Sequence, residues 1–329
     1  MDNLTPWKEA LKERTLYGCF VTYGLPDIAE VTALMGFDFL LLDNEHGVIE
    51  QSTLADMVRA SQLRGVPAVV RCTMKEYDHI QKALDFGANG VQLPLVNTAE
   101  DARRVVELAN YAPQGRRGTA YLPRAARYGM VEDKRAYLRQ ANDTKLVCCQ
   151  VETRQAVENL DGILEVDGVD VYFIGPGDLA ASYGEPAGSP KMLELTERMI
   201  RRIVAAGKTA GYYVGTPEAA RQAEEWGARY LVTAVNQYMV SGGRSFLSQV
   251  RGGGAVAASS AYWGGPHGGH APDSPLARGE GPHLPAPVRA DSQPVRHCHL
   301  PLSSAPGAGV GPGGGAAPEG ADRGPRPEV

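Results

Sequence analysis

Eight short apolar runs in the first 250 residues, separated by polar turns and helix-like stretches, constrain the fold of this chain most. They are YGCFVT (17–22), FDFLLLD (37–43), VPAVVR (66–71), GVQLPL (90–95), KLVCCQVE (145–152), VDVYFIG (169–175), KTAGYYV (208–214) and RYLVTAV (229–235). Most are apolar throughout rather than alternating, as parallel strands covered on both faces require. The stretches between them, such as QSTLADMVRASQLRG, EYDHIQKALDFGANG and TPEAARQAEEWGARY, have helical spacing and close on glycine, the residue that most readily ends a helix. ALMGFDF, ALDFGANGV and AEEWGARYL repeat one phrase, a helix end, a glycine and then a strand. Eight strand–helix units in about 250 residues predict a closed (β/α)8 TIM barrel. An open doubly wound sheet would carry a glycine-rich phosphate turn after its first strand, where this chain has VTYGLPD.

The pattern stops near residue 250. From 251 to 329, 30 of the 79 residues are Gly or Pro, and Lys, Ile, Met, Phe, Asn and Thr are absent. Such a segment cannot bury enough apolar surface to offset its ordering entropy, so 1–250 is assigned to the barrel and 251–329 to a disordered tail. Its GC-rich codon alphabet leaves a second origin open, a frameshifted or read-through end. His297, Cys298 and His299 fall in this tail, where a Gly/Pro-rich chain does not close a tetrahedral metal site. Cys19, Cys72, Cys148 and Cys149 form no C-x-x-C pair and are expected as apolar filler of strands. A net charge of −5, from 33 basic and 38 acidic residues dispersed along the chain, offers no basic face to nucleic acid or to an anionic membrane. With no signal peptide and no membrane-spanning run, the expected location is the cytoplasm.

Side chains at the C-terminal ends of barrel strands converge on one mouth, so the polar residues that finish these strands are the candidates for chemistry. The second strand ends in Asp43-Asn44-Glu45-His46-Gly47, the third in Arg71, the fifth in Gln150 and Glu152, and the sixth in Gly175-Pro176-Gly177-Asp178. Glu152 and Asp178, on neighbouring strands, make a hard oxygen site suited to Mg²⁺ or Mn²⁺, with Co²⁺ or Zn²⁺ as further candidates. Asp178 alone also fits a helix N-cap. Of the histidines in the barrel, His79 lies within a helical stretch, whereas His46 stands at a strand end among acids and suits proton transfer. A guanidinium at the end of a buried strand needs an anion, and the fork of Arg71 matches a carboxylate. A hard metal, a carboxylate-binding Arg and a His base together handle a 2-oxo acid, whose enolate charge would fall on the metal.

The segments LLLDNEHG, VVR, LDFGANGVQLP, APQGRRG, QVETRQAVENL and VDGVDVYFIGPGDLAASYG together resemble the class II pyruvate aldolases of the HpcH/HpaI family, of the 4-hydroxy-2-oxoheptanedioate and 2-keto-3-deoxy-sugar-acid type. The resemblance runs from about residue 6 to 250. It implies that Glu152 and Asp178 are the metal ligands and that Arg71 binds the pyruvate carboxylate and steadies the enolate. His46 is then the acid/base, held by Asp85. Asp43 and Glu45 orient water on the metal, Gln150 lines the pocket, and the amides around Gly177 and Asp178 receive the carboxylate. Cleavage of a 4-hydroxy-2-oxo acid gives pyruvate and an aldehyde, and no Schiff-base lysine is needed, Lys145 and Lys208 both falling at strand starts. The resemblance also implies a homo-oligomer, a hexamer that exchanges its last helix. Gly242 and Gly243 in that helix oppose it by about 1 kcal/mol each relative to Ala. The loop RRGTAYLPRAARYG is expected to cover the mouth, which makes Tyr121, Arg124 and Tyr128 candidate specificity residues. Two alternatives stay open: a lyase or synthase using oxaloacetate or a CoA ester on the same scaffold, and a catalytically silent barrel.

Overall fold

The computed structural model describes residues 7–73 and 77–251. The eight runs form strands β1 (Leu16–Val21), β2 (Phe39–Asp43), β3 (Ala68–Arg71), β4 (Gly90–Leu93), β5 (Leu146–Val151), β6 (Val171–Ile174), β7 (Thr209–Tyr213) and β8 (Tyr230–Ala234). Each pairs in parallel with the next, and β1 closes on β8. Helices link the strands, so the fold is the (β/α)8 barrel that the rhythm of apolar runs predicts. Gly36, Gly87 and Gly227, the glycines of the repeated phrase, have φ of 93°, 93° and 103°, the left-handed region in which a side chain is strained. The expected tail from Gly252 onward lies outside the described residues.

Alternation along each strand divides the core into two layers. Residues such as Leu40, Leu42, Val70, Val91 and Ile174 face outward and pack under the helices with Leu54, Met57, Ile80 and Ile200. The other set, including Leu16, Phe20, Phe39, Leu41, Leu146, Phe173 and Tyr230, fills the barrel itself. Full burial of each such side chain contributes about 1.5–3 kcal/mol before entropy is counted. The Phe39 ring stacks on Tyr230 with centroids 4.4 Å apart, and it occupies the space that a Cβ on Gly18 would need. Strand neighbours set what lies above this plug: Asp43 is opposite Arg71, and Arg71 is opposite Gln92. Aromatic filling therefore gives way to polar groups near the C-terminal strand ends. A separate cavity of about 470 Å³ lies at the other end of the barrel, lined in part by Arg117, Tyr137, Asn89 and Lys145, the last two directly preceding β4 and β5. Among the described residues no helix is long and apolar enough to cross a membrane.

Candidate active site

Asp43 is the last residue of β2 and Arg71 the last of β3, and the parallel register sets them side by side. Arg71 Nε and Nη2 donate to the two oxygens of Asp43 at 2.8 and 2.7 Å, a bidentate pair with almost no solvent exposure. The guanidinium also lies over the Phe20 ring, 4.7 Å from its centroid. One edge of Arg71 is thus fixed. Nη1 stands 3.3 Å from Glu45 Oε2, an oxygen that is buried and accepts no hydrogen bond among the described residues. Burial pushes the Glu45 carboxyl up, against the pull of Arg71 and His46. Asp43 Oδ1 additionally accepts the N–H groups of Glu45 (3.2 Å) and His46 (3.3 Å), which shapes the turn that follows β2. The His46 side chain is 65% exposed, with Nε2 3.9 Å from Glu45 Oε2.

Glu152 directly follows β5 and is 1% exposed. Its Oε1 accepts the Leu95 N–H at 2.9 Å and its Oε2 the Gln150 amide. Burial raises its pKa to about 7, the two hydrogen bonds oppose the shift, and the charges of Asp178 and Glu45 add to it. Gly175 makes this packing possible, because a Cβ there would fall on Glu152 Oε2 and 3.0 Å from Gln150 Nε2. Asp178 occupies the first turn of the helix Pro176–Tyr183 without capping it; Gly175 is the N-cap. The carboxylate of Asp178 is exposed and makes no hydrogen bond or ion pair among the described residues. The N–H groups of Gly177 and Asp178, in that same turn, have no acceptor within the helix.

These carboxylates fit a hard divalent cation. Asp43 is neutralised by Arg71, but among the described residues the oxygens of Glu152 meet only neutral donors and Asp178 meets none, so a cation would find two carboxylates that no basic group hydrogen-bonds. Among the described residues no three His, Cys, Asp or Glu side chains converge to hold an ion unaided. Two carboxylates suffice for an ion that keeps water and substrate in its remaining positions.

Not every expected residue comes to the mouth. Asp85 ends the helix Tyr77–Asp85, which runs from the C-terminal side of β3 to the opposite end of the barrel, and its carboxylate accepts Arg117 Nη2 at 2.5 Å. Among the described residues no hydrogen bond or ion pair joins it to His46; the carboxylate beside His46 is that of Glu45. The loop expected over the mouth also lies at that opposite end, where Arg124 Nη1 donates to Phe86 O at 2.9 Å, carrying Tyr121 and Tyr128 with it. A helix after a parallel strand must run back down, and this reversal is what separates Asp85 from the mouth. Gln92 on β4, fully buried, was not singled out by the sequence. Its signal was present: it is the one polar residue in the apolar run GVQLPL. The four cysteines of the barrel are buried free thiols, as filler should be.

The family model described as HpcH/HpaI aldolase/citrate lyase matches residues 16–240. A 2-keto-3-deoxy-L-rhamnonate aldolase of Escherichia coli O9:H4 strain HS is 39% identical over 240 residues, covering 72% of this chain and 89% of that protein. Among solved structures, an HpcH/HpaI aldolase/citrate lyase family protein of Burkholderia cenocepacia J2315 superposes with a TM-score of 0.70 at 32% identity, covering 75% of this chain and 99% of its own. An HpcH/HpaI aldolase of Desulfitobacterium hafniense DCB-2 gives 0.69 at 27% identity, covering 74% of this chain and 96% of its own. The chain belongs to the HpcH/HpaI aldolase/citrate lyase family and is an enzyme of the carbon–carbon lyase class.

Proposed function

We propose that this chain is a class II pyruvate aldolase, cleaving or forming 4-hydroxy-2-oxo acids through a pyruvate enolate, with Glu152 and Asp178 holding a divalent metal such as Mg²⁺ or Mn²⁺. The observation that carries this is the buried Glu152, whose hydrogen bonds among the described residues come only from neutral donors, at the same strand ends as the Asp43-anchored Arg71. The E. coli relative's name describes a 2-keto-3-deoxy acid, the same class of substrate, and supports the choice. When bound, the metal would supply positive charge to the keto oxygen as it becomes an enolate oxygen.

The chain's own groups then divide the work. Asp43 holds one edge of Arg71, so the opposite edge, with Nη1 beside Glu45, meets the substrate carboxylate from an already ordered guanidinium. The amides of Gly177 and Asp178 receive the same carboxylate at a helix start. Gln150, with its nitrogen on Glu152, lines the pocket beside the keto group. His46, exposed at the mouth and next to Glu45, takes the proton from the C4 hydroxyl in cleavage as the C3–C4 bond breaks, and returns it to the aldehyde oxygen in synthesis. Glu45, drawn toward both Arg71 and His46, sets the charge between them. Self-association belongs to the same proposal: the last helix, Val235–Val250, exposes Tyr238, Met239, Val240, Phe246 and Leu247.

The test is exchange of pyruvate methyl protons in deuterated water with Mg²⁺, Mn²⁺ or Co²⁺. Exchange should need the metal, stop with EDTA, and be lost in Glu152→Ala. Exchange that survives EDTA, or none with any of the three ions, would remove the proposal.

A further inference from the structure

Gln92, acting through Gln150, and the turn after β4 hold Glu152 from both sides. Gln92 is 0% exposed, and its Nε2 donates to Gln150 Oε1 at 2.7 Å, while Cys148 Sγ lies 3.4 Å from Gln92 Oε1. With its oxygen committed as an acceptor, the Gln150 amide has one orientation, and Nε2 must face Glu152 Oε2. On the other side the Leu95 N–H reaches Glu152 Oε1 at 2.9 Å, and Leu95 has φ of 55° although it is not a glycine. Leu95 is 45% exposed, so burial of its side chain is incomplete. Strain of this kind persists only where its surroundings impose it. Here they do: Val96 N–H donates to Gln150 O at 3.0 Å, and Asn97 O accepts from Asn159 at 2.9 Å, stitching the turn to β5 and to the segment after it.

We propose that Gln92 is a positioning residue which, with the Leu95 amide, fixes the carboxylate of Glu152 in the orientation that receives a divalent cation, an inference that rests on Glu152 being a metal ligand. Each Glu152 oxygen has one neutral donor behind it, which leaves its remaining lone pairs directed forward. Without Gln92 the Gln150 amide can rotate and present its oxygen to the carboxylate, which turns Glu152 aside. Partners that orient a ligand in this way typically change metal affinity 10–100-fold when removed.

The experiment is calorimetric titration of Mn²⁺ into the metal-free full-length protein, comparing the unaltered chain with Gln92→Met, Gln92→Glu and Glu152→Ala. Gln92→Met, similar in volume but without the amide, should bind Mn²⁺ about 10-fold more weakly. At saturating Mn²⁺ its kcat should stay within about twofold, because the clamp acts on Glu152 and not on the substrate. Gln92→Glu, which when ionised accepts but does not donate, then forces the Gln150 amide to turn and should weaken binding at least as much. If Gln92→Met does not fold, Gln92→Asn, with the amide withdrawn by one carbon, replaces it with the same expectation. A folded Gln92 variant that keeps Mn²⁺ affinity within twofold, while Glu152→Ala loses it, overturns the clamp and leaves the metal site standing. Unchanged affinity in Glu152→Ala overturns both.

Discussion

Arg71 would meet two partners at once, the substrate anion proposed for the mouth and the buried Asp43 beneath it. The strand-end position in VVR points to the first, and a substitution to Ala would then be expected to cost substrate recognition alone. The bidentate pair changes that expectation. Removing one partner of a buried ion pair strands the other, at about 3–5 kcal/mol. Arg71→Ala should therefore lower the urea midpoint as well as abolish pyruvate binding, whereas Arg71→Lys should keep most of the stability and raise KM for the 2-oxo acid at least about 10-fold by losing the fork. Equal stability of Arg71→Ala and the unaltered chain would mean that Asp43 finds another partner. Lys145 carries a second prediction. It is buried, with Nζ donating to Asn110 Oδ1 at 2.6 Å and to two carbonyls, and burial lowers its pKa from 10.5 to about 7. An unfolded lysine keeps its proton to about 10.5, so between these values the unfolded state binds more protons and stability rises with pH. The rise is up to about 1.4 kcal/mol per unit above pH 7, and Lys145→Met should flatten it in urea unfolding followed from pH 7 to 9. Arg71, Glu152 and Asp178 could be placed at the mouth in advance from their positions at and just after strand ends. Partners such as Asp43 for Arg71, or Arg117 for Asp85, are matters of side-chain reach across the fold, which one sequence does not contain.

Elements were legible where their cause is local. All eight strands fall within two residues of the predicted runs, because a strand buried on both faces must be apolar along its whole length. Helix ends were legible through glycines that take left-handed φ. The segment after the helix Ala99–Ala109 was not, because which end of the barrel it packs against depends on pairs such as Arg117–Asp85 and Arg124–Phe86. The turn from β6 into the helix Pro176–Tyr183 offers a test at this scale. Gly175→Ala places a methyl on the Glu152 carboxylate and against the Gln150 amide, so Mn²⁺ affinity should fall more than about 10-fold, as removal of an orienting partner does. Retained affinity would show that the β5 segment can shift to accept a methyl group. The last helix continues through Gly242 and Gly243, and a Cβ at either meets nothing within 4 Å. Replacing both with Ala should raise stability by about 0.5–1 kcal/mol each, read as a higher Tm.

At the scale of the whole molecule, the last helix is the element whose surface the barrel leaves unexplained. It rests on the barrel through buried Val235 and through Tyr238, whose ring approaches Phe37 at 6.0 Å, and every later residue is wholly or partly exposed. Tyr238 is 46% exposed and Phe246 66%, with Met239, Val240, Leu247 and Val250 between 43% and 68%. Scattered exposed apolar residues are ordinary, but six along one sixteen-residue helix are a concentration of the kind that marks association. A glycine pair in the middle of the same helix lowers its intrinsic helical preference, so its full length is best held by contacts on more than one side. The full chain should therefore sediment as an oligomer at micromolar concentration. Charge placed in this surface, Val240→Glu with Phe246→Glu, should dissociate it while leaving the barrel's circular dichroism intact, since neither side chain contributes to the buried core. If the unaltered chain sediments as a monomer at the same concentration, the helix is covered by something other than a second copy, and the self-association proposed with the aldolase function falls while its mouth chemistry does not.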